Sequence, residues 1–187
     1  SINETVVAAK EGMDWLQECA KILAQENLPI IWTTLDGLPI MQSYPDTSRR
    51  RVQTKFGEKI VFLSVREDKI GTINKKKQGN SISPNWVHGN DACHLRMTVN
   101  LAAANGVSSF AMIHDSFGVH AADMDYFLHE CIKPAFYEMY KDGNVLQKFL
   151  DEVSPLIPEK SRSKIPAIPA LGDLDISEVL QSEFFFS

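Results

Sequence analysis

A histidine and an aspartate stand side by side where a short apolar run ends. The run Phe110–Ile113 has the composition of a strand, and residues 114–118 form a tight connection to a returning strand that begins near Val119. Gly118 is expected to relax the backbone of this connection. A carboxylate in such a turn is presented to its surroundings, and its hard oxygens suit Mg²⁺, so Asp115 is a candidate ligand for metal-assisted phosphoryl transfer. The commoner alternative, which stays open, is a turn aspartate beside a buried histidine.

Two further histidines, His88 and His94, lie on a helix predicted from Asn85 to Asn105. Their separation of six residues turns them apart by about 120° on the helix. Because helical zinc ligands usually stand four residues apart, no zinc site is predicted here. The sequence also contains no Gly-x-Ser-x-Gly elbow, P-loop or dinucleotide-binding fingerprint.

The charge of the chain is unevenly distributed. The whole sequence of 187 residues carries a net charge of -5, whereas the basic segment, defined as Arg49–Lys77, holds ten Lys and Arg against three Asp and Glu. The acidic total argues against a nucleic-acid partner, but a basic segment can neutralise phosphates locally. A solvated hairpin and loop is the alternative interpretation of this segment. No apolar stretch approaches the roughly 18 residues of a membrane span, so no membrane partner is predicted.

The hydrophobic periodicity predicts an α+β fold, with helices packed on a small antiparallel sheet and an additional β-hairpin region. Three cysteines far apart in the sequence are interpreted as core thiols. The predicted helices are Val6–Leu23, capped by Asn3, then Asn85–Asn105, one from Asp123 with a kink at Pro134, one from Asn144, and a last short helix capped by Asp175. The predicted strands are Ile30–Thr34, Leu38–Met41, Ile60–Val65 and Ser108–Ile113, and an extended connector spans Pro155–Pro169.

Several stretches, taken in order, resemble the C-terminal part of the single-subunit, phage-type RNA polymerases. Residues 83–95, Ser-Pro-Asn-Trp-Val-His-Gly-Asn-Asp-Ala-Cys-His-Leu, resemble the family's helix entry, and His114-Asp115-Ser116-Phe117-Gly118 resembles its palm motif C. Residues 164–169, 172–176 and 182–187 resemble its C-terminal segment. Family A DNA polymerases typically have a glutamate after His-Asp, so Ser116 favours an RNA polymerase.

The resemblance implies roles for individual residues. Asp115 would be catalytic, as one of two aspartates that hold a pair of Mg²⁺ ions. His88 would contact the template–primer duplex in its minor groove, and His114 would lie beside the primer end. The C-terminal Phe186 and Ser187 would fall near the active centre, although ordinary packing of the terminal phenylalanines onto the domain is the alternative.

The same resemblance implies a division of the chain and a set of partners. Residues 1–87 would belong to the fingers region and residues 88–187 to the palm. The partners would be the DNA template, the RNA product, ribonucleoside triphosphates, and the remainder of the polymerase. That remainder would supply the second aspartate in motif A and the fingers helix that binds the nucleotide; neither motif is found here, and Asp36-Gly37 does not match motif A.

The implied function is therefore that of a fragment or subunit of a DNA-directed RNA polymerase, inactive by itself. The expected location is the cytoplasm of a phage-infected bacterium, with the mitochondrial matrix as the alternative. From a different functional class, the alternative is a non-catalytic nucleic-acid-binding module derived from a polymerase palm.

Overall fold

The computed structural model describes residues 6–114 and 116–185, and its α+β architecture confirms the predicted fold class. The α-helices are α1 Val7–Gln25, α2 Lys75–Ala104, α3 Met124–Tyr126, α4 Lys133–Tyr140, α5 Val145–Val153 and α6 Glu159–Arg162. The strands are β1 Ile30–Thr33, β2 Pro39–Gln42, β3 Pro45–Phe56, β4 Lys59–Ile73, β5 Ala111–Ile113 and β6 Ser116–Gly118, and they pair as β1–β2, β3–β4 and β5–β6, each antiparallel.

The first core forms around α1 and the β1–β2 hairpin, both of which the sequence predicted. Apolar residues at helical spacing bury one face of α1, and Gly37 adopts a φ of 88° in the turn of the hairpin. From α5, Phe149 packs edge-on against Trp15 and Trp32, with ring centroids 6.0 and 6.3 Å apart. This core therefore joins elements from both ends of the chain.

Helix α2 is longer than predicted, because it begins at Lys75 and not at Asn85. Asn74 caps it by accepting a hydrogen bond from the Lys77 N–H at 2.9 Å. The prediction began the helix at Asn85, directly after Pro84, whereas Pro84 lies inside the helix. Helix α2 also crosses residues 87 and 88, where the boundary between fingers and palm is predicted.

Buried amides on either side of Pro84 attach α2 to the β1–β2 hairpin. The Gln42 side chain donates to the Gln78 carbonyl, and the Gln78 side chain donates to the Gln42 carbonyl, each at 2.9 Å. Asn85 donates to Gln42 Oε1 at 2.8 Å and to the Tyr44 hydroxyl at 3.0 Å. These bonds across the fold hold the helix in place around a residue that would otherwise interrupt it.

The basic segment forms most of the long β3–β4 hairpin, and every residue from 49 to 72 is exposed. The predicted strand Ile60–Val65 is present within β4, but its partner β3 was not predicted because its run of arginines has no strand signature. The three lysines Lys75–Lys77, assigned to the hairpin and loop by the sequence, form the first turn of α2.

A second core lies beneath the β5–β6 hairpin and is built on a helical stretch of changing geometry. A 3₁₀ turn, Ala121–Asp123, leads through α3 into a π-helical segment, Phe127–Ile132, and then into α4. Pro134 lies in the first turn of α4. In place of a sharp kink at Pro134, the helix changes from π-helical to α-helical geometry between Ile132 and Lys133. Phe127 and Cys131 are fully buried in this core.

The C-terminal region is more structured than the predicted connector. It contains the 3₁₀ turn Ser154–Leu156 and α6, and then an irregular stretch held by Trp15, whose Nε1 donates to the Pro166 carbonyl at 3.0 Å. Asp175 caps the 3₁₀ segment Ile176–Gln181, as predicted. The predicted cap Asn3 lies outside the described residues.

The cysteine prediction is confirmed, since all three thiols are free and buried. Among the described helices, none combines the length and apolar character needed to cross a membrane.

Candidate functional site

The β5–β6 hairpin carries His114, the first residue of the His-Asp motif, at its turn. Ala111 pairs with Gly118 and Ile113 with Ser116, so two residues separate the paired ends of the strands. The returning strand thus begins at Ser116, three residues earlier than predicted. His114 is exposed and adopts the left-handed region with a φ of 55°. Asp115, like Phe186 and Ser187, lies outside the described residues, so its assignment stays a prediction.

Gly118 has a different role from the one predicted. It lies in strand β6, and the positive φ of the hairpin turn occurs at His114. A Cβ at position 118 would lie 2.9 Å from the Ala111 carbonyl oxygen and 3.3 Å from the Ala111 Cβ. Glycine is therefore required here for close approach of the two strands.

A cleft of about 660 Å³ lies between the hairpin turn and helix α2. Its helical wall is one stripe of α2, since the lining residues follow steps of three and four positions. His114 faces this wall from the hairpin, and His88 stands at one end of the stripe. The two histidines, which are 26 residues apart in the sequence, thus line the same cleft, and both are exposed. The α2 residues that line it are His88, Asp91, Ala92, Leu95 and Arg96.

An ion pair fixes the charge at the far end of this stripe. The Arg96 guanidinium donates to Asp36 through Nε and, at 2.9 Å, through Nη2. The hydrogen bond from Arg96 holds the pKa of the Asp36 carboxyl well below its usual range, and Thr34 Oγ1 donates to the same carboxylate. The Asp36 carboxylate therefore has a structural role, since its ion pair joins the β1–β2 turn to α2. This role agrees with the sequence analysis, in which Asp36 does not match motif A.

His94 points away from the cleft, as its spacing from His88 predicted. It is buried, and its Nε2–H donates to the Ile132 carbonyl at 2.9 Å. Its ring packs against Phe117 of β6 and Phe136 of α4, with centroids 5.4 and 5.5 Å apart. Burial lowers the pKa of His94, which favours the neutral imidazole. His94 thus supports the hairpin from the side opposite the cleft.

The C-terminal segment packs against the same support. Phe185 contacts the second core together with Met112 and Phe117 of the β5–β6 hairpin. Its ring centroid lies 5.1 Å from that of Phe136. Phe184, in contrast, is 87% exposed. The last described residues of the chain therefore lie beneath the hairpin that carries His114.

The donor set for a metal ion is incomplete in this chain. Within residues 6–114 and 116–185, no three His, Cys, Asp or Glu side chains form a group that could hold a metal. The carboxylate of Asp36 is engaged by Arg96 and Thr34. The residues that the structure describes do not fit a complete Mg²⁺ site.

The β3–β4 hairpin largely separates apolar from basic side chains. Because paired residues share a face and successive residues alternate, the register assigns every side chain to one of two faces. On one face Arg51 lies over the Phe62 ring, 4.6 Å from its centroid. That basic face carries Arg49, Arg51, Lys55 and Arg66 together with Ile60 and Phe62. The opposite face is mainly apolar, with Val52, Phe56, Val61, Leu63 and Val65, and also carries Arg50 and Lys59.

Sequence reasoning missed two residues that shape this region. Arg96 was not identified because its partner, Asp36, lies 60 residues away in the sequence. Lys133 was not identified either, although a lysine inside the apolar run Cys131–Phe136 is an unusual choice for a buried helix. The structure buries it almost completely, at 2% exposure.

Comparison with known proteins gives a consistent match over the chain. The profile of DNA-dependent RNA polymerases matches residues 1–163. The chain is 36% identical over 201 aligned positions to the DNA-directed RNA polymerase of Enterobacteria phage K11, and 35% identical over 201 positions to the T7 RNA polymerase of Escherichia phage T7. It is 36% identical over 187 positions to the mitochondrial DNA-directed RNA polymerase 1 of Nicotiana sylvestris. Each alignment includes the whole chain but only 22%, 23% and 18% of the respective relative.

Proposed function

The chain belongs to the family of DNA-dependent RNA polymerases, and from this premise we propose that it is the C-terminal part of a DNA-directed RNA polymerase. The proposed reaction of the complete enzyme is template-directed nucleotidyl transfer, in which the RNA 3′ end is extended by one ribonucleotide. Its partners are the DNA template, the RNA product, ribonucleoside triphosphates and the remainder of the polymerase.

One observation carries this proposal beyond family membership. His88 and His114 were assigned separately to contacts with the template–primer duplex and with the primer end, and both line the cleft beneath the hairpin turn. Two exposed imidazoles can donate and accept hydrogen bonds at base edges or sugars. The Asp36 carboxylate neutralises Arg96 at the end of the cleft. The exposed basic residues are therefore concentrated outside the cleft, on the β3–β4 hairpin.

We assign residues 1–87 to the fingers region and residues 88–187 to the palm. Helix α2 would then run from one region into the other and connect them rigidly. Such a connection would transmit the position of the fingers to the wall of the cleft.

The proposed metal ligand of this chain is Asp115. A carboxylate supplies the oxygen donor that Mg²⁺ prefers, but the chain fits only part of a metal site, so the remaining ligands must come from the rest of the enzyme. When bound in the complete enzyme, a pair of Mg²⁺ ions neutralises charge on the reacting phosphate and activates the RNA 3′-hydroxyl. His114 would orient the primer end next to this carboxylate.

The assignment of Asp115 is tested in the complete polymerase. Asp115→Asn removes one anionic ligand while preserving side-chain size. We expect nearly all nucleotide addition to be lost, and DNA binding to remain largely intact, because the duplex contacts lie on other residues. Single-nucleotide extension of a primed template measures the first quantity, and fluorescence anisotropy of labelled DNA measures the second.

Asp125→Asn is the matched control, since Asp125 is an exposed aspartate ten residues further along the chain. It should leave both measurements unchanged. Near-normal nucleotide incorporation by Asp115→Asn would refute the metal-ligand assignment.

Two further features support contact with nucleic acid. The basic face of the β3–β4 hairpin offers four cations to a phosphate backbone, whereas ordinary solvation is the alternative role. The packing of Phe185 beneath the β5–β6 hairpin supports the proposal that Phe186 and Ser187 lie near the active centre.

The relatives suggest two settings for the complete enzyme. The glycine-containing motif His114–Gly118 favours the cytoplasm of a phage-infected bacterium. The alignment with the Nicotiana mitochondrial relative spans 187 positions, whereas the phage alignments span 201. The similarity to this mitochondrial relative supports the mitochondrial matrix as the alternative.

A second candidate function is a non-catalytic nucleic-acid-binding module derived from a polymerase palm. The incomplete donor set of the described residues and the exposed basic hairpin favour it. Coding sequence for motif A and the fingers helix in the source genome, upstream or in a separate gene, would support the polymerase. Its absence would support the module.

A further inference from the structure

Helix α4 begins with a buried lysine, whose ammonium has no carboxylate partner among residues 6–114 and 116–185. Lys133 is 2% exposed. Its Nζ donates to the Ser182 carbonyl oxygen at 2.7 Å and lies 3.3 Å from His129 Nδ1. Because an ammonium group can only donate, His129 Nδ1 serves as the acceptor of this second contact. One of these two acceptors, the Ser182 carbonyl, belongs to the C-terminal segment.

Burying an ammonium group is costly unless hydrogen bonds replace its hydration. The carbonyl of Ser182 supplies one of these bonds across 49 residues of sequence. The segment that contains Ser182 is therefore bonded to α4, because it supplies a hydrogen-bond acceptor that the buried Lys133 ammonium needs.

The contacts continue from this anchor to the β5–β6 hairpin. Three residues beyond Ser182, the Phe185 ring packs on Phe136 of α4, and Phe136 packs on His94 of α2. His94 in turn contacts Phe117, which pairs with Met112 in the hairpin. A continuous aromatic path thus leads from the anchored segment to the strands on either side of His114.

We infer that Lys133 is a positioning residue that anchors residues 182–185 of the C-terminal segment and, through them, the β5–β6 hairpin. Its effect on nucleotide addition rests on the proposed polymerase function. Its effect on the C-terminal segment is independent of that function and can be measured without nucleotides.

The first experiment is hydrogen exchange, followed by mass spectrometry, on the 187-residue chain. Lys133→Met keeps the volume and removes the donor, and Lys141→Met is the control at the opposite end of the same helix, where Lys141 is ion-paired with Glu138 at the surface. In Lys133→Met we expect exchange in peptides covering residues 176–185 to rise about tenfold or more, because a charge-assisted hydrogen bond is lost. Peptides from α1 should not change.

Unchanged exchange of the C-terminal peptides in Lys133→Met would overturn the inference, as would an equal rise in Lys141→Met. If Lys133→Met loses protection throughout the chain, Lys133→Gln decides. Its side chain is polar but uncharged and one bond shorter than that of lysine, so it no longer reaches the Ser182 carbonyl and should raise exchange in residues 176–185 selectively. No selective rise in that variant would also overturn the inference.

The second experiment measures nucleotide addition by the complete polymerase. Lys133→Met and a truncation after Gln181 should each lower kcat, on the order of tenfold to a hundredfold, with little change in KM, because a displaced hairpin misaligns the reacting groups. The double variant should be no slower than either single variant, since both changes release the same segment. Additive losses would overturn the positioning role.

The two experiments separate the inference from the proposed function. If the wild-type complete enzyme makes no RNA, the proposed function is wrong, whereas the exchange result still decides whether Lys133 anchors the C-terminal segment.

Discussion

At the scale of single residues, the close approach of strands β5 and β6 determines which side chains this hairpin can accommodate. Gly118 lies where a Cβ would meet the backbone of the opposite strand, and His114 supplies the left-handed residue of the turn. Burial behind the hairpin lowers the pKa of His94, which favours its neutral form. Gly118 and His94 thus shape the hairpin only, whereas His114 combines a role in the turn with the predicted contact to the primer end.

Gly118→Ala should destabilise the chain, because its Cβ would lie 2.9 Å from the Ala111 carbonyl oxygen and would force the strands apart. We expect the free energy of unfolding to fall by about 1–3 kcal/mol, the usual cost of overpacking. Urea denaturation followed by tryptophan fluorescence measures this change.

Gly172→Ala is the matched control, since a Cβ there meets nothing within 4 Å. It should alter stability by less than about 0.5 kcal/mol. Equal stability of the two variants would contradict the close-approach role of Gly118.

At the scale of secondary-structure elements, the β3–β4 hairpin is the most independent part of the chain. All of its residues between 49 and 72 are exposed, so its sequence is not constrained by the core. Paired strands nevertheless sort its side chains into a mainly apolar and a basic face. A two-stranded hairpin is marginal by itself, so a contact of the apolar face would also stabilise it.

The salt dependence of DNA binding tests the basic face. Replacing Arg49, Arg51, Lys55 and Arg66 with glutamine should flatten the slope of log K against log salt by about 3–4, if each cation neutralises one phosphate. Fluorescence anisotropy with a labelled duplex, titrated from about 50 to 200 mM salt, measures the slope.

The control variant removes four exposed lysines of the helical body, Lys10, Lys141, Lys160 and Lys164. It matches the change in net charge and should leave the slope unchanged. The same slope in the wild type and in the hairpin variant would assign the basic segment to solvation.

At the scale of the whole molecule, two cores hold the described part of the chain, and the described residues do not form a complete metal site. The first core joins α1 and β1–β2 to α5, and the second supports the β5–β6 hairpin, with α2 extending between them. This architecture holds the cleft without completing a metal site.

The purified 187-residue chain should therefore synthesise no RNA. A lone carboxylate cannot fix the geometry of two metal ions, and the nucleotide-binding fingers helix was not found in the sequence. Incorporation of labelled ribonucleotides on a DNA template in the presence of Mg²⁺ measures this activity, with the complete polymerase on the same template as the positive control. Mg²⁺-dependent RNA synthesis by the chain alone would contradict this prediction.

The sequence by itself determined the family and the elements with strong local signals. The apolar periodicity of α1 and the Asp36-Gly37 turn of β1–β2 depend on neighbouring residues, so they could be predicted without a structure. The motif around His114 likewise identified the family because residue type and order were sufficient.

Only the tertiary structure decided the features that depend on distant partners. Helix α2 passes through Pro84 because amides 36 and 43 residues apart hold it to the β1–β2 hairpin. The ion pair of Arg96 and the burial of Lys133 join residues 60 and 49 positions apart. Local propensity contains no information about such contacts, whereas their hydrogen bonds and buried charges determine where the cleft and the C-terminal segment lie.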